Sequence, residues 1–163
     1  MSCKCYYVNG LKEGEFKKWH SNGQLRQHTK SFVGDKIQGV STTWHANGEM
    51  LEFSHFKDTL LHGEFKLYYD NGQMKQHSFF EEGKLVGKSE TWHRNGNAME
   101  ISYFQQGNLN GEFKKWYDNG VQCVHCYFCN GELHGKYKNW NRLGAVQREC
   151  RYEHDKAVPN SDV

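Results

Sequence analysis

Residues 63–72 read Gly63-Glu64-Phe65-Lys66-Leu67-Tyr68-Tyr69-Asp70-Asn71-Gly72, and residues 111–120 repeat the pattern as Gly111-Glu112-Phe113-Lys114-Lys115-Trp116-Tyr117-Asp118-Asn119-Gly120. Working outward, the leading glycine recurs at Gly14, Gly39, Gly63, Gly87, Gly111 and Gly135, one step of 25 residues and then four of 24. Nine residues after each stands Gly23, Gly48, Gly72, Gly96, Gly120 or Gly144, preceded by Asn in every copy except the last, where Leu143 takes its place. Self-similarity at a fixed short period is the mark of a repeat architecture. Asn-Gly between β-prone runs predicts a hairpin with a two-residue type I′ loop, both central residues at positive φ.

A second turn follows Phe32, Phe56, Phe80, Phe104, Phe128 and Tyr152, clearest at Glu82-Gly83, Gln106-Gly107 and Asn130-Gly131. Two turns per unit leave two strands of about ten residues, and Tyr6-Tyr7-Val8-Asn9-Gly10 supplies a leading half unit. The pattern predicts an all-β, elongated, single-layer antiparallel meander of about thirteen strands over residues 1–156. A sheet of more than about ten strands is expected to twist and curl. Residues 157–163 read as a flexible C-terminal tail.

Composition agrees. Only 36% of the chain is hydrophobic, 15% is aromatic, and there are 17 glycines to one proline, which suits pleated surfaces better than a compact helical core. The 21 basic and 19 acidic residues leave a net +2 and are interspersed, so charge singles out neither nucleic acid nor an anionic membrane. The start has no apolar signal core and no stretch has the length of a membrane-spanning helix, from which a soluble, cytoplasmic protein is expected.

A two-residue loop at Asn71-Gly72 sets Asp70 opposite Gln73, Tyr68 opposite Lys75, Phe65 opposite Ser78 and Gly63 opposite Phe80. A loop at Glu82-Gly83 continues this with Phe80 opposite Leu85 and Ser78 opposite Gly87. One face, the Phe face, then carries the repeated Phe, the Ile/Leu column and the leading Gly, expected to make room for a neighbouring Phe ring. The other, the Trp face, carries Trp19, Trp44, Tyr68, Trp92, Trp116 and Trp140, with Lys17 opposite His28, Lys66 opposite His77, Lys114 opposite His125, Thr42 opposite Phe53 and Glu90 opposite Ile101. The extra residue of the first repeat would turn Phe32 to the wrong face unless a β-bulge between His28 and Ser31 restores it.

With Gly-x-Phe-x-x-Trp/Tyr-x-x-Asn-Gly and Phe-x-x-Gly-x-Leu-x-Gly in hand, the units resemble MORN repeats of the 24-residue variant class from residue 6 to residue 156. The resemblance implies an antiparallel, groove-forming sheet with a scaffold or interaction role. For some members of the family it implies contact with phosphoinositide membranes, and for others an antitoxin role. Asp35, Thr59 and Asp155 depart from it by losing the turn glycine, and Leu143 by losing the turn Asn, which should weaken those turns. The repeat has no catalytic residue to carry over.

Cys123-x-x-Cys126-x-x-Cys129 invites a zinc reading, but residues three apart on a strand face opposite ways, so no metal site is expected. Cys126 and Cys150 share a column with a strand between them, too far apart for a disulfide. All six cysteines are expected as free thiols. His55 opposite His62 is the one cross-strand histidine pair in this register, two ligands without a third. No phosphate loop, nucleophile elbow or zinc-protease motif occurs, so neither a catalytic residue nor a cofactor is expected.

A single-layer sheet leaves apolar surface open, and contiguous apolar surface marks an interaction site. Function is therefore expected to be non-enzymatic: a scaffold holding a protein partner, or a second copy as a homodimer, on an aromatic-rich face. Peripheral binding of lipid head groups is the less favoured alternative, and inhibition of a partner protein is a special case of the first. The binding candidates are Phe32, Phe56, Phe80, Phe104 and Phe128 on the Phe face, with Tyr69, Tyr117, His45 and His93. The Trp face is expected chiefly to stabilise the sheet.

Overall fold

The computed structural model describes residues 2–158. Among these the strands are hydrogen-bonded in chain order in one sixteen-stranded antiparallel sheet without helices. Two compact units meet in sequence at Lys84 and Leu85. The first holds β1 (Cys3–Val8), β2 (Leu11–Trp19), β3 (Leu25–Val33), β4 (Lys36–Trp44), β5 (Met50–Lys57), β6 (Leu60–Tyr68) and β7 (Met74–Glu81). The second holds nearly all of β8 (Lys84–Trp92), then β9 (Ala98–Gln105), β10 (Asn108–Leu109), β11 (Gly111–Trp116), β12 (Gln122–Cys129), β13 (Glu132–Leu133), β14 (Gly135–Trp140), β15 (Val146–Glu153) and β16 (Lys156–Val158). Ala157 and Val158, expected to open the tail, instead pair with Tyr152 and Arg151. The rest of it, residues 159–163, lies outside the described residues.

The Asn-Gly turns are not the two-residue type I′ loops expected of them. Asn22, Asn47, Asn71, Asn95 and Asn119 do not have positive φ; only the following glycine does, as at Gly72 (φ 79°). Tyr69 N–H donates to Gln73 O at 2.8 Å and Gly72 N–H to Tyr69 O at 3.0 Å. This is a three-residue loop, a type I turn closed by a glycine bulge. Tyr68 therefore faces Met74 rather than Lys75. A bulge at the next step restores the expected register, so that Lys66 does face His77, Phe65 faces Ser78 and Gly63 faces Phe80.

The type I′ loops are the second turns instead, with Glu82 at 48° and Gly83 at 78°, and Gln106 at 55° and Gly107 at 88°. Where glycine is missing the chain still takes this shape: Asp35 sits at 67°, Thr59 at 71° and Asp155 at 64°. Left-handed φ is costly for a β-branched residue such as Thr59. A second bond offsets it. Each of the three gives its backbone N–H to a carbonyl of the previous hairpin, as glycine would, at Lys12, Ile37 and Leu133. Each then accepts that same residue's N–H on its side-chain oxygen, at 2.8, 3.1 and 2.7 Å. These turns are clasped rather than weakened.

The leading glycines also differ from expectation. A Cβ built on Gly14, Gly39 or Gly87 meets nothing within 4 Å, so no Phe ring claims the space. Their φ values of 73°, 75° and 66° are what require glycine. Between Ser54 and Phe56 the register moves, with Ser54 facing Phe65 while Phe56 faces Leu61. The second loop alone would have set Ser54 opposite Gly63, so the bulge contributes two extra residues on β6.

That step of two has a geometric purpose. Phe65 pairs with Ser78, thirteen residues on, and a 24-residue repeat aligns only if the next pairing advances eleven. The unbulged register advances nine and would slide each repeat two residues past the last. The bulge removes the slide and stacks like residues in straight rows. In the first repeat the further shift opposite Glu15, between Thr29 and Phe32, absorbs the extra residue where it was expected. Phe32 consequently returns to the Phe face, edge-on to Phe16 at 6.0 Å.

Candidate functional site

The core is a row of small side chains on the Phe face: Thr29, Ser41, Ser54 and Ser78 in the first unit, Ser89, Ser102 and Cys126 in the second, all buried. Rings roof it. Phe16 with Phe32, Phe65 with Phe80, Phe113 with Phe128 and Tyr137 with Tyr152 pack edge to face at 5.4–6.0 Å. Beneath them polar atoms pair with one another, as Thr29 Oγ1 does with Ser41 Oγ at 2.9 Å. The candidate residue Phe32 is therefore buried, and Phe56, Phe80, Phe104 and Phe128 are half-buried.

The other candidates are braces between repeats. His45 Nε2 meets Tyr68 O at 3.2 Å and His93 Nε2 meets Trp116 O at 2.9 Å. Tyr117 donates its hydroxyl to Trp140 O at 3.0 Å. Tyr69 holds the equivalent position in its repeat and is half-buried, with Lys75 Nζ 5.5 Å from its ring centre. His45, His93 and Tyr117 each tie a strand end to the repeat that follows.

Open aromatic surface lies on the opposite face. Phe79, Tyr103 and Tyr127 are 41, 36 and 37% exposed. Phe79 faces Glu64 in the first unit, and Tyr103 faces Lys88 in the second. Tyr127 faces Glu112. In the second unit each Tyr ring stands beside a leading glycine: a Cβ on Gly111 would come within 3.3 Å of Tyr103 Cβ, and one on Gly135 within 3.6 Å of Tyr127 Cβ. The absent side chains let each Tyr lie close against the neighbouring strand. The exposed cations Lys136 and Arg151 share this face, as does Lys88, whose Nζ is held by Glu90 Oε1 at 2.7 Å. The repeat alignment holds the signal, since column 79, 103, 127 is aromatic in three successive units.

A charged device alternates with these rings. Glu64 Oε1 holds Lys66 Nζ at 2.7 Å and His77 Nε2 at 2.9 Å, and Glu112 holds Lys114 at 2.8 Å and His125 at 2.9 Å. Glu15 does the same for Lys17 at 3.0 Å and His28 at 2.6 Å. The Lys hydrogen bond foremost, and the His beside it, hold all three carboxyls below their ordinary range. The cross-strand Lys–His pairs are legible in the sequence; the Glu that joins each pair stands two residues before its Lys.

His55 and His62 do not act together. The glycine bulge falls between them: His55 Nδ1 meets Glu64 O at 3.2 Å, and His62 Nδ1 accepts Glu82 N–H at 3.4 Å. No group of three His, Cys, Asp or Glu among the described residues could hold a metal ion. Cys123 is the extra residue of a strand bulge, between the pairs Lys115–Val124 and Trp116–Gln122, which breaks the simple alternation of faces assumed for it. Cys126 lies 2% exposed in the core row, and burial pushes its thiol up to about 12. The six cysteines are unbridged.

No curated protein matches the chain. Residues 12–32 and 61–82 match the family model of the MORN repeat variant. Each of the two matched segments begins just before a leading glycine and ends at or just after a repeated Phe. The same hairpin, bulge and row recur through the described residues, so the two segments that match the MORN repeat variant are two copies of a unit repeated along the chain.

Proposed function

We propose that this chain is a non-enzymatic scaffold that holds a protein partner on the Trp face of its second unit, around Tyr103 and Tyr127. The observation that carries the reading is the pair of exposed rings, each packed beside a leading glycine, with Lys136 and Arg151 on the same face. Tyr supplies large amphipathic contact area at low entropic cost and is enriched among residues that dominate binding energy. The cations favour a partner segment with an apolar anchor flanked by carboxylates. The repeat itself is a non-catalytic interaction module, and this assignment replaces the Phe face, whose rings are committed to roofing the core.

The test is parallel affinity capture from the native host with the wild-type chain and the double variant Tyr103→Ser/Tyr127→Ser, both verified as folded by circular dichroism. Proteins retained by the first and lost by the second support the reading, and identical capture sinks it. Flotation with phosphoinositide vesicles at low and moderate salt is the companion arm; binding that these two substitutions leave untouched would favour a lipid surface instead.

A further inference from the structure

We propose that two copies of this chain associate head to head through β1, each adding a strand to the other's sheet. Among the described residues β1 is hydrogen-bonded on one side only, to β2. Its outward backbone donors and acceptors are therefore a template for another strand. Natural edges are commonly blunted by Pro, several charges or a bulge. This one has a single Lys and no Pro. The extra residues of its bulge, where the register passes from Cys5 opposite Phe16 to Tyr6 opposite Glu13, belong to β2 and leave β1 regular. Its side chains are apolar and open: Tyr6 is 53%, Tyr7 60% and Val8 56% exposed, and Leu11 opposite Val8 is 45%.

The last long strand is built differently. β15 exposes Arg148, Glu149, Arg151 and Glu153, and β16 has three residues, with Pro159 next in the sequence. Head-to-tail addition would run on into a filament and would set the apolar edge against a charged one. Head-to-head pairing closes after two copies.

Charge then selects the register. Opposed residues of an antiparallel pair share a face, so a two-fold axis can lie at Lys4, Cys5 or Tyr6. At Lys4 it would set two ammonium groups directly opposite, which is destabilising. At Cys5 it sets Lys4 against the partner's Tyr6, repeating the cation–ring approach that Lys4 makes to its own Tyr6 at 5.6 Å. It also sets Cys5 against the partner's Cys5, continuing the row of small residues between two Phe16 rings. At Tyr6 it would leave Lys4 opposite the partner's Val8. The Cys5 register is the one we assign. A six-residue edge buries less than the roughly 1,200 Å² of a stable complex, so the dimer is weak and concentration-dependent.

Sedimentation equilibrium of the full chain should show a reversible monomer–dimer equilibrium that Tyr6→Lys weakens about tenfold, since two symmetry-related Lys–Lys contacts replace cation–ring pairs. The charge-swapped Lys4→Glu/Tyr6→Lys should restore it. Opposed residues of such a pair have Cα atoms about 4.5–5.5 Å apart, within disulfide range. Diamide, which takes two electrons and two protons from two thiols, should therefore link Cys5 to the partner's Cys5. A monomer at all concentrations, a dimer indifferent to Tyr6→Lys, or a Cys3–Cys5 link mapped by mass spectrometry would overturn the proposal.

Discussion

Asn22 holds the repeat that follows it: its side-chain amide donates to the carbonyl of Ala46 at 2.7 Å, while its Oδ1 accepts Gln24 N–H within its own turn at 3.1 Å. Asn47 does the same to Asp70, Asn95 to Asp118 and Asn119 to Arg142, at 2.6, 2.7 and 3.0 Å. The sequence signal read as a demand for positive φ is thus a demand for a carboxamide that bonds in two directions. Each bond needs straight rows, and the leading glycines supply them.

Removing the carboxamide at Asn47 should cost about 1 kcal/mol per bond lost. Asn47→Asp keeps the bond accepted from Glu49 and loses the one donated to Asp70; Asn47→Ala loses both. Thermal melts should rank wild type, then Asp, then Ala. Equal losses for the two variants would show that the link between repeats contributes nothing.

At Gly87 the cost of substitution should follow backbone conformation rather than size. A Cβ there has open space but sits on φ +66°. Gly87→Ala should lose about 1–2 kcal/mol and Gly87→Val no less, whereas Gly87→Asn, tolerant of left-handed φ, should lose the least. Urea midpoints at unchanged slope measure it, and a harmless Ala beside a damaging Val would return the explanation to crowding.

Much of the architecture could be read from the chain because the 24-residue period exposes strands, turns and faces at once. The pairs Lys17–His28, Thr42–Phe53 and Glu90–Ile101 all stand as read. What escaped is what period-two alternation cannot express: a bulge changes register without changing composition. A three-residue loop followed by a bulge gave the right partner for Phe65 despite the wrong turn at Asn71. The exposed Tyr103 and Tyr127 escaped for another reason, since a column's chemistry shows in sequence while its solvent exposure does not.

Acid should loosen the Glu–Lys–His clusters. Glu64 and Glu112 have folded-state pKa values below their ordinary 4.5, held down first by Lys66 and Lys114. Their contribution is present above that value and fades as pH falls below about 4.5 through the folded-state pKa. In Glu64→Gln the stability curve should be lower at neutral pH and shallower below pH ~4.5. A variant curve parallel to wild type throughout would show that the cluster contributes nothing.

Thiol reactivity should divide by burial. Cys3 is exposed and Cys5 half-buried, whereas Cys126 is buried with its thiol held near 12. Iodoacetamide at pH 8 should label Cys3 and Cys5 in the native chain and reach Cys126 only on unfolding. Because Ser fills the same row in neighbouring repeats, Cys126→Ser should fold with little loss. Rapid native labelling of Cys126 would mean that the Phe113–Phe128 roof opens readily.

The most direct measurement compares neighbours on one strand that face opposite ways. A photo-crosslinking amino acid at 103 or 127 lies on the Trp face, and one at 104 or 128 on the Phe face. Irradiation in native lysate should join partner protein to positions 103 and 127 and leave 104 and 128 unlinked. Cross-links confined to 104 and 128 would contradict the account and return the binding surface to the Phe face.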